Sequence, residues 1–336
     1  MAIHHDSYLL ATFGEPRLFA AWLRCVLPPE LQARLNWTTL RRVGERHTGL
    51  RLRSGTVDLV FAIDLADGTA RLLVFVEHRS HRALDLHDTM LRYAVHLQHV
   101  ARRDWPDQPT FALGVVMSHG EGPPELLPRS AMAAGDEAAA PWLPFQPRIA
   151  VLVDHLNHHG EAELLARAMP PAARLAQVAL RFLAAWDGPT TIDAIGRWAD
   201  LLREVAEEDR ALGSDHLEAF FGYVLQANAT AIEDLQMAID KHLQEQRGSF
   251  MSTAEKLRAE GLARGLERGR VEGRVEGRVE GRVDALRRLL IRRFGPLPAS
   301  AEAQLAAASQ PELDQWLDRV LDAANLSAVF HPTASR

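Results

Sequence analysis

A mixed α/β or α+β core in the N-terminal half, followed by helices alone, is the fold class this sequence predicts. Three observations carry it. Two β-branched, apolar runs, 56–65 and 70–77, flank Ala66-Asp67-Gly68-Thr69, whose Asp-Gly pair predicts a hairpin turn. A helical stripe of Leu86, Met90, Tyr93, Ala94 and Leu97 then separates the hairpin from a third apolar run, 110–117. From about residue 161 onward every patterned segment has helical spacing, with no further alternating run.

In order along the chain, 6–26 predicts two helical pieces punctuated by Gly14 and Pro16. The hairpin follows, then a helix over 84–103 closed by Asp104-Trp105-Pro106-Asp107, then the strand 110–117. A Pro/Gly/Ala-rich loop leads to a short strand at 148–153. Helices are predicted at 161–168, 171–186, 190–206, 214–227 and 230–246. After a repeat region, Gly295-Pro296 stops a helix, and two short helices at 300–309 and 311–324 form a small all-α C-terminal unit.

Composition narrows the class. The 336 residues are 47% hydrophobic and 24% charged, which excludes wholesale disorder and fibrous proteins. The one cysteine, Cys25, excludes an internal disulfide framework and a cysteine-rich zinc module. No secretory leader and no uncharged apolar run of about 18 residues is present, so a soluble cytoplasmic protein with no membrane partner is expected. The net charge of −6 is uneven: residues 1–150 sum to zero, 151–250 to −8, 251–300 to +5 and 301–336 to −3. Nucleic-acid contact must therefore come from local arginines. Lys241 and Lys256 are the only lysines, which excludes a catalytic lysine from the first 150 residues.

Residues 269–284 read GRVEGRVEGRVEGRVD, and Gly261, Gly265, Gly269, Gly273, Gly277 and Gly281 form one ladder. A period of four excludes collagen, which needs three. In a helix each four-residue step drifts by about 40°, so the glycines wind as a groove beside a valine ridge. Each glycine costs roughly 0.8–1 kcal/mol relative to alanine. Every i,i+4 charge neighbour in the repeat is like-charged as well. Such a helix needs a partner, and a period above 3.6 favours a right-handed supercoil. A flexible charged linker is the other reading.

The chemistry-bearing candidates are carboxylates. Asp58 lies inside an apolar run, Glu77 ends the next one, and Arg79 follows two residues later. Residues two apart on a strand share a face, so Glu77 and Arg79 point one way and His78 the other. Two acids and a cation at a sheet edge suit a divalent-metal phosphodiesterase: hard oxygens hold the metal, and the cation stabilises the phosphate. Spacing alone also describes an ordinary surface ion pair. His155, His158 and His159 have no matching acid or cysteine spacing and are expected on the surface.

The series of motifs resembles one family. HDSYLLATFG at 5–14, VDLVF at 57–61, VEHRS at 76–80, LRY at 91–93 and VVMSHGEGP at 115–123 resemble, in order, the signatures of the Rpn recombination-promoting nucleases, also described as putative transposases, of the PD-(D/E)XK superfamily. VEGRVEGRV, RRFGPLPAS and QWLDRVLDAANL resemble the C-terminal half of its members. The resemblance implies a PD-(D/E)XK-like α/β (α+β) nuclease core over 1–165. A helical region at 166–250, a glycine-repeat helix or linker at 251–295 and a C-terminal dimerisation unit at 296–330 follow it. It implies a Mg2+-dependent DNA endonuclease of low sequence specificity, with Mn2+ or Ca2+ as other cations, linked to recombination or transposition.

By that resemblance Asp58 and Glu77 are metal ligands, Arg79 is the third catalytic position, and His5 and Asp6 are accessory. DNA is the implied partner, with a homodimer formed through 251–330. Arg79 departs from the family, which has Gln here where the superfamily has Lys. Arginine can hold a phosphate by two hydrogen bonds but cannot act as a general base. It can also fold back onto Asp58 or Glu77 and compete with the metal. The alternative is therefore a catalytically impaired module that binds DNA or protein and oligomerises through its C-terminal half.

Overall fold

The computed structural model describes residues 2–44, 59–80, 85–120, 122, 141, 143–227 and 230–331. Its chain divides into two compact units, Met1–Glu255 and Lys256–Arg336. The segments 1–165 and 166–250 both fall in the first.

The first unit is α+β. Helices α1 (Ala2–Phe13), α2 (Pro16–Val26) and α3 (Pro29–Gln32) lead into β1 (Leu35–Arg42), β2 (Leu59–Leu65) and β3 (Arg71–Arg79). Helix α4 (Leu86–Asp104), β4 (Thr110–Ser118) and β5 (Val151–His155) complete a five-stranded sheet in the order β1-β2-β3-β4-β5. The pairs β1–β2 and β2–β3 are antiparallel, and β3–β4 and β4–β5 are parallel. The hairpin turn is as predicted, and Gly68 supplies the positive φ of 71° that the turn requires. Strand β1 is not predicted by the sequence reading. Its LNWTTLRR has one buried residue, Leu35, so no apolar run marks it.

The two faces of the sheet bury different partners. Leu59, Phe61 and Ile63 of β2, Val74 and Val76 of β3, and Val115 and Met117 of β4 join a large core with α1 and α2. Phe19 stacks on Phe61 with ring centroids 3.8 Å apart. The opposite face, with Val60, Ala62, Leu73, Phe75 and Val116, packs against Leu86, Met90, Tyr93, Leu97 and Ala101 of α4. Gly114 lets α4 approach: a Cβ there would lie 2.6 Å from Met90 Cε and 2.9 Å from Val151 Cγ1.

Helices α5 (Glu161–Leu165), α6 (Pro171–Phe182), α7 (Gly188–Arg197), α8 (Ala199–Leu212), α9 (His216–Ala227) and α10 (Ile232–His242) follow. The single helix expected over 190–206 is two, α7 and α8, meeting at Trp198, whose indole is buried and donates to Glu161 Oε1 at 2.8 Å. Tertiary burial of one side chain sets that break, and helical periodicity does not register it.

Helix α11 (Arg247–Phe294) is 48 residues long and includes the whole glycine ladder. Its first turns bury Phe250 and Ala254 in the first unit, with Phe250 edge-on to Phe221. In the second unit α12 (Ala299–Ala307), α13 (Gln310–Arg319) and α14 (Leu326–Phe330) follow. Leu286, Leu290, Leu305, Leu313, Trp316 and Phe330 form their core. Ser309 and Glu312 make a reciprocal capping box that starts α13. At each ladder glycine a Cβ would meet nothing within 4 Å. No described helix is long and apolar enough to cross a membrane.

Candidate functional site

The alternation of β3 sorts the candidate residues onto two faces. Glu77 and Arg79 lie on the α4 side, like Leu73 and Phe75, whereas His78 lies on the α1 side, like Val74 and Val76. Glu77 is 7% exposed, and Arg79 Nη2 lies 2.9 Å from its Oε1. Of the two outcomes open to Arg79, the structure has the folded-back one, onto Glu77. Arg79 Nε is buried without a hydrogen-bond partner. Asp58 lies outside the described residues, immediately before Leu59, the first residue of β2.

The parallel register carries this edge across two more strands. Arg79 of β3 pairs with Ser118 of β4, and Ser118 with His155 of β5. The three form one row at the C-terminal ends of parallel strands, the edge where open α/β sheets bind ligands. Ser118 and His155 are both buried, and His155 Nδ1 lies 3.3 Å from Ser118 Oγ. Burial and the nearby charge of His158 push the His155 ring below its ordinary pKa. The expectation of a surface histidine is thus wrong for His155, because the β4–β5 pairing covers a ring that sequence spacing leaves open. His159 is partly exposed and pairs with Glu163 at 2.5 Å.

His5 and Asp6 gather around His78, on the far face of β3 from Glu77. Asp6 Oδ1 lies 2.8 Å from His78 Nδ1, and His78 Nε2 lies 3.0 Å from His119 Nε2. His5 stacks edge-on to His119 and its Nδ1 lies 2.7 Å from the Tyr223 hydroxyl of α9. His119 is pushed down to about 2 by burial, then by the charges of His78, His5, Arg181 and His155. It is therefore a neutral ring at any physiological pH. Burial holds the Tyr223 phenol well above its ordinary value. The chain Asp6–His78–His119 braces the end of β3 from behind. Sequence reasoning missed His78, His119 and Tyr223. The signals for His78 and His119 are their places in VEHRS and VVMSHGEGP, two of the motifs that carry the family resemblance.

Among the described residues no group of three or more His, Cys, Asp or Glu is placed to hold a metal. Glu77 itself offers hard carboxylate oxygens of the kind Mg2+ takes, one of them now held by Arg79. The chemistry of that carboxylate fits a divalent cation.

One comparison bears on kinship. Residues 3–121 match the family of YhgA-like putative transposases. The resemblance read from the N-terminal motifs holds over this segment, which runs from α1 to just past β4 and includes His5, Asp6, Glu77, Arg79 and His119. Tyr223, His155 and everything from α5 onward lie beyond the matched family segment. No curated protein and no solved structure matches the chain.

Proposed function

We propose that the N-terminal unit is a metal-dependent DNA endonuclease of low sequence specificity, with a PD-(D/E)XK-type core and a role in recombination or transposition. The transposase-family match supports the theme. The observation that carries the reading is Glu77, an acid buried at the C-terminal end of a central strand and held 2.9 Å from the Arg79 guanidinium. Asp58 and Glu77 would hold Mg2+, with Mn2+ or Ca2+ as other cations. A bound cation supplies an activated water and offsets charge on the phosphate. Arg79 would grip the scissile phosphate through its planar fork. Residues 251–330 would join two copies, so that two sites meet two strands.

The Glu77–Arg79 pair also favours a second reading. A guanidinium that neutralises the carboxylate leaves an impaired nuclease fold that binds DNA without cutting it. Plasmid nicking separates the two. With Mg2+ the wild type is expected to nick supercoiled DNA, and EDTA to stop it. Glu77→Ala should lower the rate by roughly three orders of magnitude, the scale of several kcal/mol of lost charge stabilisation. Equal inertness of wild type, Glu77→Ala and Arg79→Gln across Mg2+, Mn2+ and Ca2+ would leave the binding reading in its place.

A further inference from the structure

Arg181, in the last turn of α6, has no anion partner among the described residues. No hydrogen bond or ion pair joins it to any described residue, and its Nε is buried without a partner. Its guanidinium rests over the Phe182 ring, 4.7 Å from the centroid. Lost hydration pushes its pKa below the ordinary arginine value, with no carboxylate among the described residues to offset that cost. The side chain is only half-buried, so a ligand can reach it from solvent.

Its surroundings are equally one-sided. Helix α6 packs against the turn Leu156–His158 that follows β5, and β4 packs against the same turn. Gln177, four residues earlier and on the same helix face, donates to Asp154 Oδ2 at 3.2 Å, so α6 aims Arg181 at the strand ends. The Arg181 charge lies close enough to lower both His119 and His155. Asp154, the nearby acid, is already taken by Arg167, Trp22 and Gln177. A partly desolvated arginine near two neutral imidazoles has donors to spare and no anion among the described residues to take them. Leaving such a charge unpaired is costly, which makes it a marker of a ligand site.

We infer that Arg181 binds a backbone phosphate of DNA near the C-terminal edge of β4 and β5. The inference rests on DNA being the partner in the proposed function, and extends the DNA-binding edge past the segment matched by the transposase family. Arginine suits the role because its fork matches phosphate geometry and it stays charged despite desolvation.

The test is equilibrium binding of the full chain to a short fluorescein-labelled DNA duplex in EDTA, across a salt series. Arg181→Gln should weaken binding by about fivefold to tenfold and make the log K against log salt slope shallower by about one. Arg181→Lys should keep the slope and lose part of the affinity. Arg174→Gln, on the same helix but paired with Glu204 at 2.7 Å, should bind as wild type does. Because Arg181 forms no structural pair, Arg181→Gln should unfold at the same or a higher temperature. Wild-type affinity and slope in Arg181→Gln would overturn the proposal, as would an equal loss in Arg174→Gln or a wild type that fails to bind DNA at low salt. Plasmid nicking tests the nuclease reading separately. Arg181-dependent binding without nicking keeps the phosphate site and removes the nuclease. Nicking that needs Glu77, with unchanged binding in Arg181→Gln, does the reverse.

Discussion

Arg167 and Arg181 sit within the same α6 neighbourhood and end in opposite states. Arg167 is paired with an anion: its Nη1 and Nη2 reach Asp154 at 2.7 and 2.9 Å, and Nη1 also donates to Gln177 Oε1 at 2.9 Å. Asp154 in turn accepts from the buried Trp22 indole at 2.8 Å. Burial pulls the Arg167 guanidinium down, but the hydrogen bond and charge of Asp154 carry it above its ordinary value. Arg181 has no such return. Arg79 lies between them, with one ion pair to Glu77 and an orphaned Nε. The series separates structure from function. A charge held by its own anion serves the fold, and a charge with no anion among the described residues is available to a ligand.

The largest effect expected from this contrast is at Asp154. Asp154→Ala strips the partly buried Arg167 of its anion and leaves the buried Trp22 indole without its acceptor, which together cost about 3 kcal/mol. For a unit of this size the thermal midpoint should fall by roughly 10 °C. Differential scanning calorimetry reads it, and a drop no larger than that of Arg181→Gln would erase the distinction between the two arginines.

Next is the pH response of the histidines behind β3. His119 is held near 2, whereas in the unfolded chain it titrates near 6.5. Below pH 6.5 the unfolded state therefore holds the extra proton, and stability falls as pH drops, by about 1.4 kcal/mol per unit. His216 acts in the other window. Burial lowers it, but the Asp209 hydrogen bond and the charges of Asp209, Glu15 and Glu208 raise it overall. Its contribution is full below the unfolded value and is lost as pH rises through the raised one. Urea midpoints between pH 5 and 8 should show both limbs. His119→Gln should flatten the acid limb alone, and an unchanged acid limb would sink the assignment.

The smallest effects distinguish packed glycines from open ones. Gly114→Ala drives a methyl into Met90, Val151 and Phe75 and should cost about 1–3 kcal/mol. Gly273→Ala meets nothing within 4 Å and should gain about 0.8–1 kcal/mol of helix propensity in an isolated chain. If two copies pack through the ladder, the same change weakens the dimer. Sedimentation equilibrium of Gly273→Ala decides between these, and unchanged association would remove the ladder from the dimer contact.

Much of this is legible in the amino-acid sequence. The β-branched runs around Asp67-Gly68 mark β2 and β3, because burial of a strand needs continuous apolar side chains. Period-two alternation alone puts Glu77 and Arg79 on one face and His78 on the other. Strand β1 was not legible, since half-exposed residues pair by backbone hydrogen bonds that carry no composition signal. The break at Trp198 and the burial of His155 were equally silent, as both depend on what packs across from them.

By itself, then, the chain order determined the α+β class, the alternation of β3 and the glycine ladder, because local periodicity and propensity act within a few residues. Only tertiary structure decided that Arg79 lies on Glu77, that His5 and Asp6 stand behind the strand with His78, and that Arg181 has no anion among the described residues. The first depends on the side-chain conformation at the end of β3, the second on α1 packed behind the strand, and the third on a helix that begins more than 50 residues after β4 ends. No local pattern encodes a distance of that kind.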